Sequence, residues 1–256
     1  MANLEIFQFP CLSDNYGVLL RDPDSNVVAS IDAPDAAAVE AALKEKGWQL
    51  THILVTHHHW DHTQGNEALK ASTNCTIIGP KGEADKVPGI DTKVGEGDTF
   101  KFGGFDVEVS ETPGHTAGHI IYHIPAAKAA FVGDTLFAMG CGRVIEGTME
   151  QMWGGVEKVA KLPADTALYC GHEYTIANAE FAMSVEPGNK ALQQRLDTVR
   201  ELRAAGKPTL PTTVAEELAT NPFIRVDSAE IRSNLGLEGA TDAEVFAEVR
   251  TRKNNF

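Results

Sequence analysis

Thr56-His57-His58-His59-Trp60-Asp61-His62 follows directly on the apolar stretch that begins at His52, and it places four of the nine histidines of the chain within six residues. The run is internal, is broken by Trp60-Asp61 and has apolar sequence before it, so it reads neither as a purification tag nor as a solvated loop. His52 to Thr56 reads as a strand. In extended backbone, residues two apart share a face, so His57 and His59 can aim at one metal ion while His58 points away. As the chain turns toward the next helix, Asp61 and His62 diverge from that pair and suit a second ion close beside the first. Imidazole nitrogen and carboxylate oxygen are ligands for zinc, iron or manganese, and no cysteine is required.

These residues alone would leave each ion undercoordinated. Three further candidates stand at the ends of apolar strands, each after a glycine: His115 after Thr112-Pro113-Gly114, Asp134 after Phe131-Val132-Gly133, and His172 after Tyr169-Cys170-Gly171. Glycine lets the backbone turn sharply, and strand-end loops are where functional side chains gather. The isolated His52, His119 and His123 read as ordinary core or surface positions.

Outward from these motifs, the first two thirds of the chain are rich in short strands: Leu4 to Phe9, Tyr16 to Leu20, Val27 to Ile31, Thr76 to Ile78, Thr99 to Phe102, Phe105 to Val109, Ile120 to Ile124, Ala129 to Val132 and Ala167 to Cys170. Asp35 can cap a helix with Val39, Ala42 and Leu43 on one face, and Gly47 can end it. A second helix is expected over Met149 to Ala160. After Tyr174 the texture turns helical, over Ile176 to Val185, Lys190 to Ala205 and Asp242 to Arg252, with Asn189 and Thr241 as N-caps and Thr241/Glu244 as a capping box. The expectation is an α+β body over 1–174 with a helical C-terminal domain over 175–256.

No stretch reaches the roughly 18 apolar residues of a membrane helix. Cys11, Cys75, Cys141 and Cys170 are scattered singly, which fits reduced thiols and a cytoplasmic protein. A formal net charge of −14 argues against nucleic acid as a partner, because phosphate binding relies on Lys and Arg. An anionic ligand would need a local basic cluster.

The ordered motifs Thr56-His57-x-His59-x-Asp61-His62, Pro113-Gly114-His115-Thr116-x-Gly118-His119, Gly133-Asp134-Thr135 and Gly171-His172-Glu173 resemble the metallo-β-lactamase superfamily. The resemblance implies a four-layer αββα sandwich. It implies that His57, His59 and His115 bind one metal, that Asp61, His62 and His172 bind the other, and that Asp134 bridges them. Within the superfamily, Gly140-Cys141-Gly142-Arg143, Cys170 to Thr175, Val185-Glu186-Pro187-Gly188-Asn189, Asn221-Pro222-Phe223-Ile224-Arg225 and Arg250-x-x-Lys253 resemble the glyoxalase II family across nearly the whole chain. This likeness implies a thioesterase that hydrolyses S-(2-hydroxyacyl)glutathione, such as S-D-lactoylglutathione, to D-lactate and glutathione, as in methylglyoxal detoxification. Catalysis would rest on Asp61 and Asp134, with two divalent ions, zinc first and iron or manganese as alternatives. Arg143, Tyr174, Arg250 and Lys253 would contact glutathione in a monomeric enzyme. Where many members carry aromatic residues, this chain has Val144 and Ile145.

Other chemistries reuse the first motif: a β-lactamase, a phosphodiesterase-type nuclease or a mononuclear iron persulfide dioxygenase. The acidic charge disfavours the nuclease, and the helical tail disfavours the dioxygenase. A metal-stabilised binding protein without turnover would be marked by lost ligands, and none of the seven is lost.

Overall fold

The computed structural model describes residues 3–256, and the chain divides into two compact units, Met1–Glu111 with Thr116–Gly133 and Thr112–His115 with Asp134–Phe256. In the first unit, β1 (Glu5–Cys11), β2 (Asn15–Asp22) and β3 (Val27–Ile31) form an antiparallel meander, and β4 (His52–Leu54), β5 (Thr76–Pro80) and β6 (Thr92–Val94) continue it in parallel as a six-stranded sheet ordered β1-β2-β3-β4-β5-β6. A change from antiparallel to parallel pairing requires crossovers, and α1 (Ala36–Lys46) and α3 (Asn66–Thr73) supply two of them. The cap expected for α1 is present: Asp35 accepts from the amides of Ala37 and Ala38, and Gly47 closes the helix at φ 67°. The four-residue α2 (Trp60–Thr63) lies between β4 and α3.

Leu19, Val28, Ile53 and Ile77 face Val39, Leu43 and Leu69 of α1 and α3 in one core cluster. Their strand neighbours Leu20, Ala29, Leu54 and Ile78 are buried as well. Adjacent residues of a strand point to opposite faces, so this sheet is covered on both sides. Within the same unit, β7 (Thr99–Phe102), β8 (Phe105–Glu111), β9 (Ile120–Ile124) and β10 (Ala129–Gly133) pair antiparallel in the order β10-β9-β8-β7. The fully buried Tyr122 of β9 donates its hydroxyl to the carbonyl of Val55 at 2.8 Å, which ties this sheet to the first. The strand expected over His52 to Thr56 ends at Leu54, because the Thr56 amide donates to Asp32 Oδ1 at 2.7 Å instead of to a neighbouring strand.

The second unit contains β11 (Leu136–Phe137) and β12 (Gly140–Cys141), a short hairpin, then α4 (Met149–Ala160), β13 (Ala167–Cys170), α5 (Thr175–Val185), α6 (Lys190–Ala204), β14 (Thr212–Thr213), α7 (Val214–Thr220), α8 (Ala229–Leu235) and α9 (Asp242–Asn254). Thr241 and Glu244 form the expected capping box of α9, and Asn189 caps α6 through the Leu192 amide. Pairs too short to show periodicity, such as β11 with β12 and β14, went unread in the sequence, as did α7 and α8.

Helix α7 and the start of the following loop clasp the hairpin. Glu217 Oε2 accepts from the Met139 amide and from Asn221 Nδ2, and Asn221 Nδ2 also lies within bonding distance of the carbonyls of Phe137 and Gly140. Glu217 is fully buried and its other oxygen accepts from Arg195 and from Thr212, both at 2.6 Å. A buried ion pair is weak evidence of net stabilisation, but removing one partner strands the other in the interior. Glu217→Ala is therefore expected to destabilise the protein by about 3–5 kcal/mol. Glu157→Ala, which breaks the exposed Glu157–Lys161 pair of α4, is expected to change stability by less than about 0.5 kcal/mol. Denaturant unfolding of the two variants checks the contrast.

Candidate metal centre

After β4 the chain runs without regular structure into α2, and it gathers four of the expected residues in the first unit. His57 and His62 are buried, and His59 and Asp61 are partly exposed. The His57 ring centroid is 4.8 Å from that of His59 and 4.1 Å from that of His62. His58 turns aside: its amide donates to Glu83 Oε1 at 2.7 Å and its Nδ1 lies 3.1 Å from the same oxygen. Glu83 is itself buried and also accepts from the Gly118 amide, so it ties the histidine run to Gly118 within this unit. His52 and His123 take ordinary partners, Thr51 and Glu108, while His119 stacks on His57 at 4.7 Å.

The group that organises this cluster is one that the motif reading missed. Asp32 is buried at the end of β3 with φ 56°, an uncommon angle for a residue other than glycine. Its Oδ2 accepts from Thr56 Oγ1 at 2.9 Å and lies 2.7 Å from His62 Nδ1. A carboxylate at Nδ1 fixes that nitrogen as the donor, so Nε2 of His62 is the nitrogen that carries the lone pair. The signal was available, since Asp32 ends an apolar strand just as Asp134 does.

In the second unit, His115, Asp134 and His172 converge. Asp134 Oδ2 lies 3.3 Å from His115 Nε2 and 3.4 Å from His172 Nε2, and all three residues are buried. His115 Nδ1 lies 2.9 Å from the Arg143 carbonyl, which again makes Nε2 the nitrogen that carries the lone pair. Two glycines make this approach possible. Gly114 has φ 144°, and a Cβ on Gly142 would fall 2.0 Å from the Asp134 carbonyl. The His172 ring is stacked on Tyr174 at 4.8 Å with an interplanar angle of 4°, and Phe137 meets it edge-on at 5.8 Å.

A cavity of about 350 Å³ opens in this unit, lined by His115, Asp134, Phe137, Arg143, Tyr174 and Lys253 among others. Lys253 Nζ donates to the Ala177 carbonyl at 2.7 Å and lies over Phe181. Burial, aided by the charge of Arg250 and opposed by Glu180, lowers its pKa to about 8. Arg250, three residues earlier on α9, is 4% exposed; its Nη1 donates to the Cys141 carbonyl and its guanidinium lies over Phe223, beneath the cavity wall. Burial raises the Cys141 thiol to about 11 and carries Cys170 well above its ordinary value, so both stay protonated at neutral pH. The donor set is therefore imidazole and carboxylate, without thiolate, and it fits a hard or borderline divalent metal ion.

Residues 28–172 match the metallo-beta-lactamase superfamily, and residues 173–256 match the family described as hydroxyacylglutathione hydrolase C-terminus. Over 253 residues the chain is 59% identical to a hydroxyacylglutathione hydrolase of Brucella anthropi, covering 99% of this chain and 97% of that protein. The chain belongs to the hydroxyacylglutathione hydrolase family of the metallo-beta-lactamase superfamily. A relative of the same name from Brucella ovis is 56% identical, covering 99% of this chain and 98% of its own. Among solved structures, ETHE1 from Myxococcus xanthus superposes with a TM-score of 0.66 at 25% identity, covering 97% of this chain and 98% of its own. TTHA1623, crystallised in a di-iron-bound form, superposes with a TM-score of 0.62 at 20% identity over 85% of this chain and 98% of its own, a likeness of fold alone. The fold is thus the α+β sandwich of that superfamily with a helical C-terminal region, as the motifs implied.

Because Asp32 sets which nitrogen His62 offers, Asp32→Asn is expected to weaken divalent metal binding by about 10–100-fold. Competition with a chromophoric chelator measures this, and unchanged affinity would mean that His62 is oriented by other contacts.

Proposed function

We propose that this chain is a metal-dependent thioesterase that hydrolyses S-(2-hydroxyacyl)glutathione, with S-D-lactoylglutathione as substrate and D-lactate and glutathione as products, in the detoxification of methylglyoxal. The observation that carries this reading is the second unit's cavity, where Asp134, set between two imidazoles, shares one wall system with the cations Arg143 and Lys253. Family membership over nearly the full chain supports it.

The ligand roles follow the superfamily resemblance: His57, His59 and His115 for one ion, Asp61, His62 and His172 for the other, and Asp134 shared. Zinc is the first choice, with iron or manganese compatible with the same donors. Two such ions supply Lewis acidity and lower the pKa of water from 15.7 toward about 7. The chain's own residues do the rest. Asp32 and the Arg143 carbonyl hold His62 and His115 in the tautomers that expose Nε2. Tyr174 and Phe137 fix the ring plane of His172. Arg143 and Lys253 offer cations to the carboxylates of a tripeptide, and Tyr174 offers a ring edge, while Arg250 acts from beneath by holding Cys141. Cys141 and Cys170, kept as thiols, are not nucleophiles. The leaving thiolate has a conjugate acid of pKa about 8.5 and departs without a strong general acid. Four free, buried cysteines support a reducing, cytoplasmic setting, and we read the working form as a monomer.

Purified protein is expected to hydrolyse S-D-lactoylglutathione, followed at the thioester absorbance, with about two metal ions per chain on the same sample. Asp134→Ala is expected to lose metal and nearly all turnover. Two ions without turnover would keep a hydrolase centre and remove the glutathione assignment.

The pH dependence follows from Lys253. Its pKa in the free protein is lowered to about 8, so below that pH the ammonium is present to pair with a substrate carboxylate, and above it the charge must be restored on binding. KM for the glutathione thioester is expected to be flat below about pH 8 and to rise above it by up to about tenfold per pH unit. Lys253→Arg, always charged, is expected to abolish that rise. Lys253→Ala is expected to raise KM for the glutathione thioester by about tenfold or more while sparing a small thioester.

A further inference from the structure

Asn15 opens β2 directly after the β1–β2 turn, where Cys11 pairs with Asn15 in register and Leu12 takes φ 50°. It is 4% exposed. Its side-chain nitrogen donates to the Asp61 backbone carbonyl at 3.1 Å and to Asp61 Oδ2 at 3.1 Å, across 46 positions of sequence and wholly within the first unit. A carboxamide carries two N–H groups on one nitrogen, so both bonds can form together.

The two bonds do different things. The bond to the carbonyl ties the turn to α2 and needs no function to explain it. The bond to Oδ2 constrains a side chain that is 40% exposed on a one-turn helix. We propose that Asn15 is a positioning residue for Asp61: its bond to Oδ2, the oxygen that lies 3.7 Å from His62 Nε2, holds the carboxylate beside that imidazole in the orientation that takes a divalent ion. The inference rests on the reading of Asp61 as a metal ligand.

The residue type matters. Asparagine donates without charge. An aspartate of the same shape would have no donor to offer and would place a second carboxylate about where the amide now sits, against a group meant to hold a cation. Serine and alanine lack the reach to make both bonds. Nothing in the β1–β2 turn itself calls for asparagine at a strand's first position, where β-branched residues are favoured.

The test uses the metal-free full chain titrated with cobalt(II), whose d–d absorption reports coordination, in wild type, Asn15→Ala, Asn15→Asp, Asp61→Ala and the double variant Asn15→Ala/Asp61→Ala. Asn15→Ala is expected to weaken one of the two ions by about 10–100-fold, to alter the absorption of that ion, and to leave the other unchanged. Asn15→Asp, which keeps shape and packing, is expected to do the same and secures the test if the alanine variant folds poorly. In the double variant the loss is expected to equal that of Asp61→Ala alone, because a residue that acts through Asp61 has no further effect once Asp61 is gone. Thermal unfolding of the metal-free chains reads the structural bond separately. A lowered melting temperature with unchanged cobalt spectrum and affinity would overturn the proposal, as would losses that add in the double variant. Retention of both ions by Asp61→Ala would instead overturn the ligand reading beneath it.

Discussion

The carboxylate of Asp32 is a charge placed where little water reaches, and the first unit's histidine cluster is arranged around that fact. Burying an ionised carboxylate costs several kcal/mol unless hydrogen bonds replace its hydration. Here the replacements are the Thr56 amide, the Thr56 hydroxyl and His62 Nδ1, all within 2.9 Å. Each of these bonds has a second consequence. The amide bond takes Thr56 out of the sheet and ends β4, which frees the next residues to turn. The imidazole bond selects the His62 tautomer. Strand termination, loop entry and ligand orientation are therefore one electrostatic requirement met three ways, and the left-handed φ of Asp32 is the backbone strain that aims the carboxylate inward.

The second unit solves a similar problem with a different acid. The hairpin that follows Asp134 is too short to be stable alone, since two-residue strands offer few ladder bonds. Peptide groups of this buried hairpin are satisfied by Glu217, Asn221 and Asn178, and its Met139 packs into the cluster of α5 and α6. The helical tail thus holds the hairpin that follows Asp134, besides furnishing Lys253. In both units a functional loop is fixed by a buried acid that comes from a distant element, which is what precision in a loop requires.

The sequence disclosed the parts of this arrangement that repeat or cluster. Alternating apolar runs gave β1 to β5 and β7 to β10, because a residue's face in a strand follows from parity alone. Caps at Asp35, Asn189 and Thr241 gave helix starts, because a side-chain acceptor at a helix N-terminus is a local device. The seven expected ligands fall into two groups, one in each unit, and each group converges within its own unit. Asp32 was legible only as an acid at a strand end, and Glu83, Asn15 and Glu217 were not legible. Each is a single polar residue whose role lies in a partner 24 to 78 positions away, and nothing in its own neighbourhood announces that partner. Arg250 shows the same limit from the other side. Helical spacing joins it to Lys253, yet its side chain is committed to the Cys141 carbonyl, a pairing that only tertiary packing decides.

Net charge poses the remaining question, since a chain of −14 is asked to take an anionic tripeptide. Distance decides it. At physiological ionic strength charges beyond about 8 Å are largely screened, so the carboxylates spread over the surface contribute little at the cavity, whereas a cation in contact with the ligand acts almost unscreened. Arg143 and Lys253 line that cavity, and Arg250 lies close enough to Lys253 to lower its pKa. The same burial that lowers the pKa of Lys253 strengthens its attraction for a carboxylate once paired, because the local dielectric is low for both effects. A fully solvated lysine would stay charged at any physiological pH and bind an anion feebly. A half-buried one binds strongly but sits near its own titration, so in the proposed reading affinity for the anionic substrate and sensitivity to alkaline pH would arise from one structural cause.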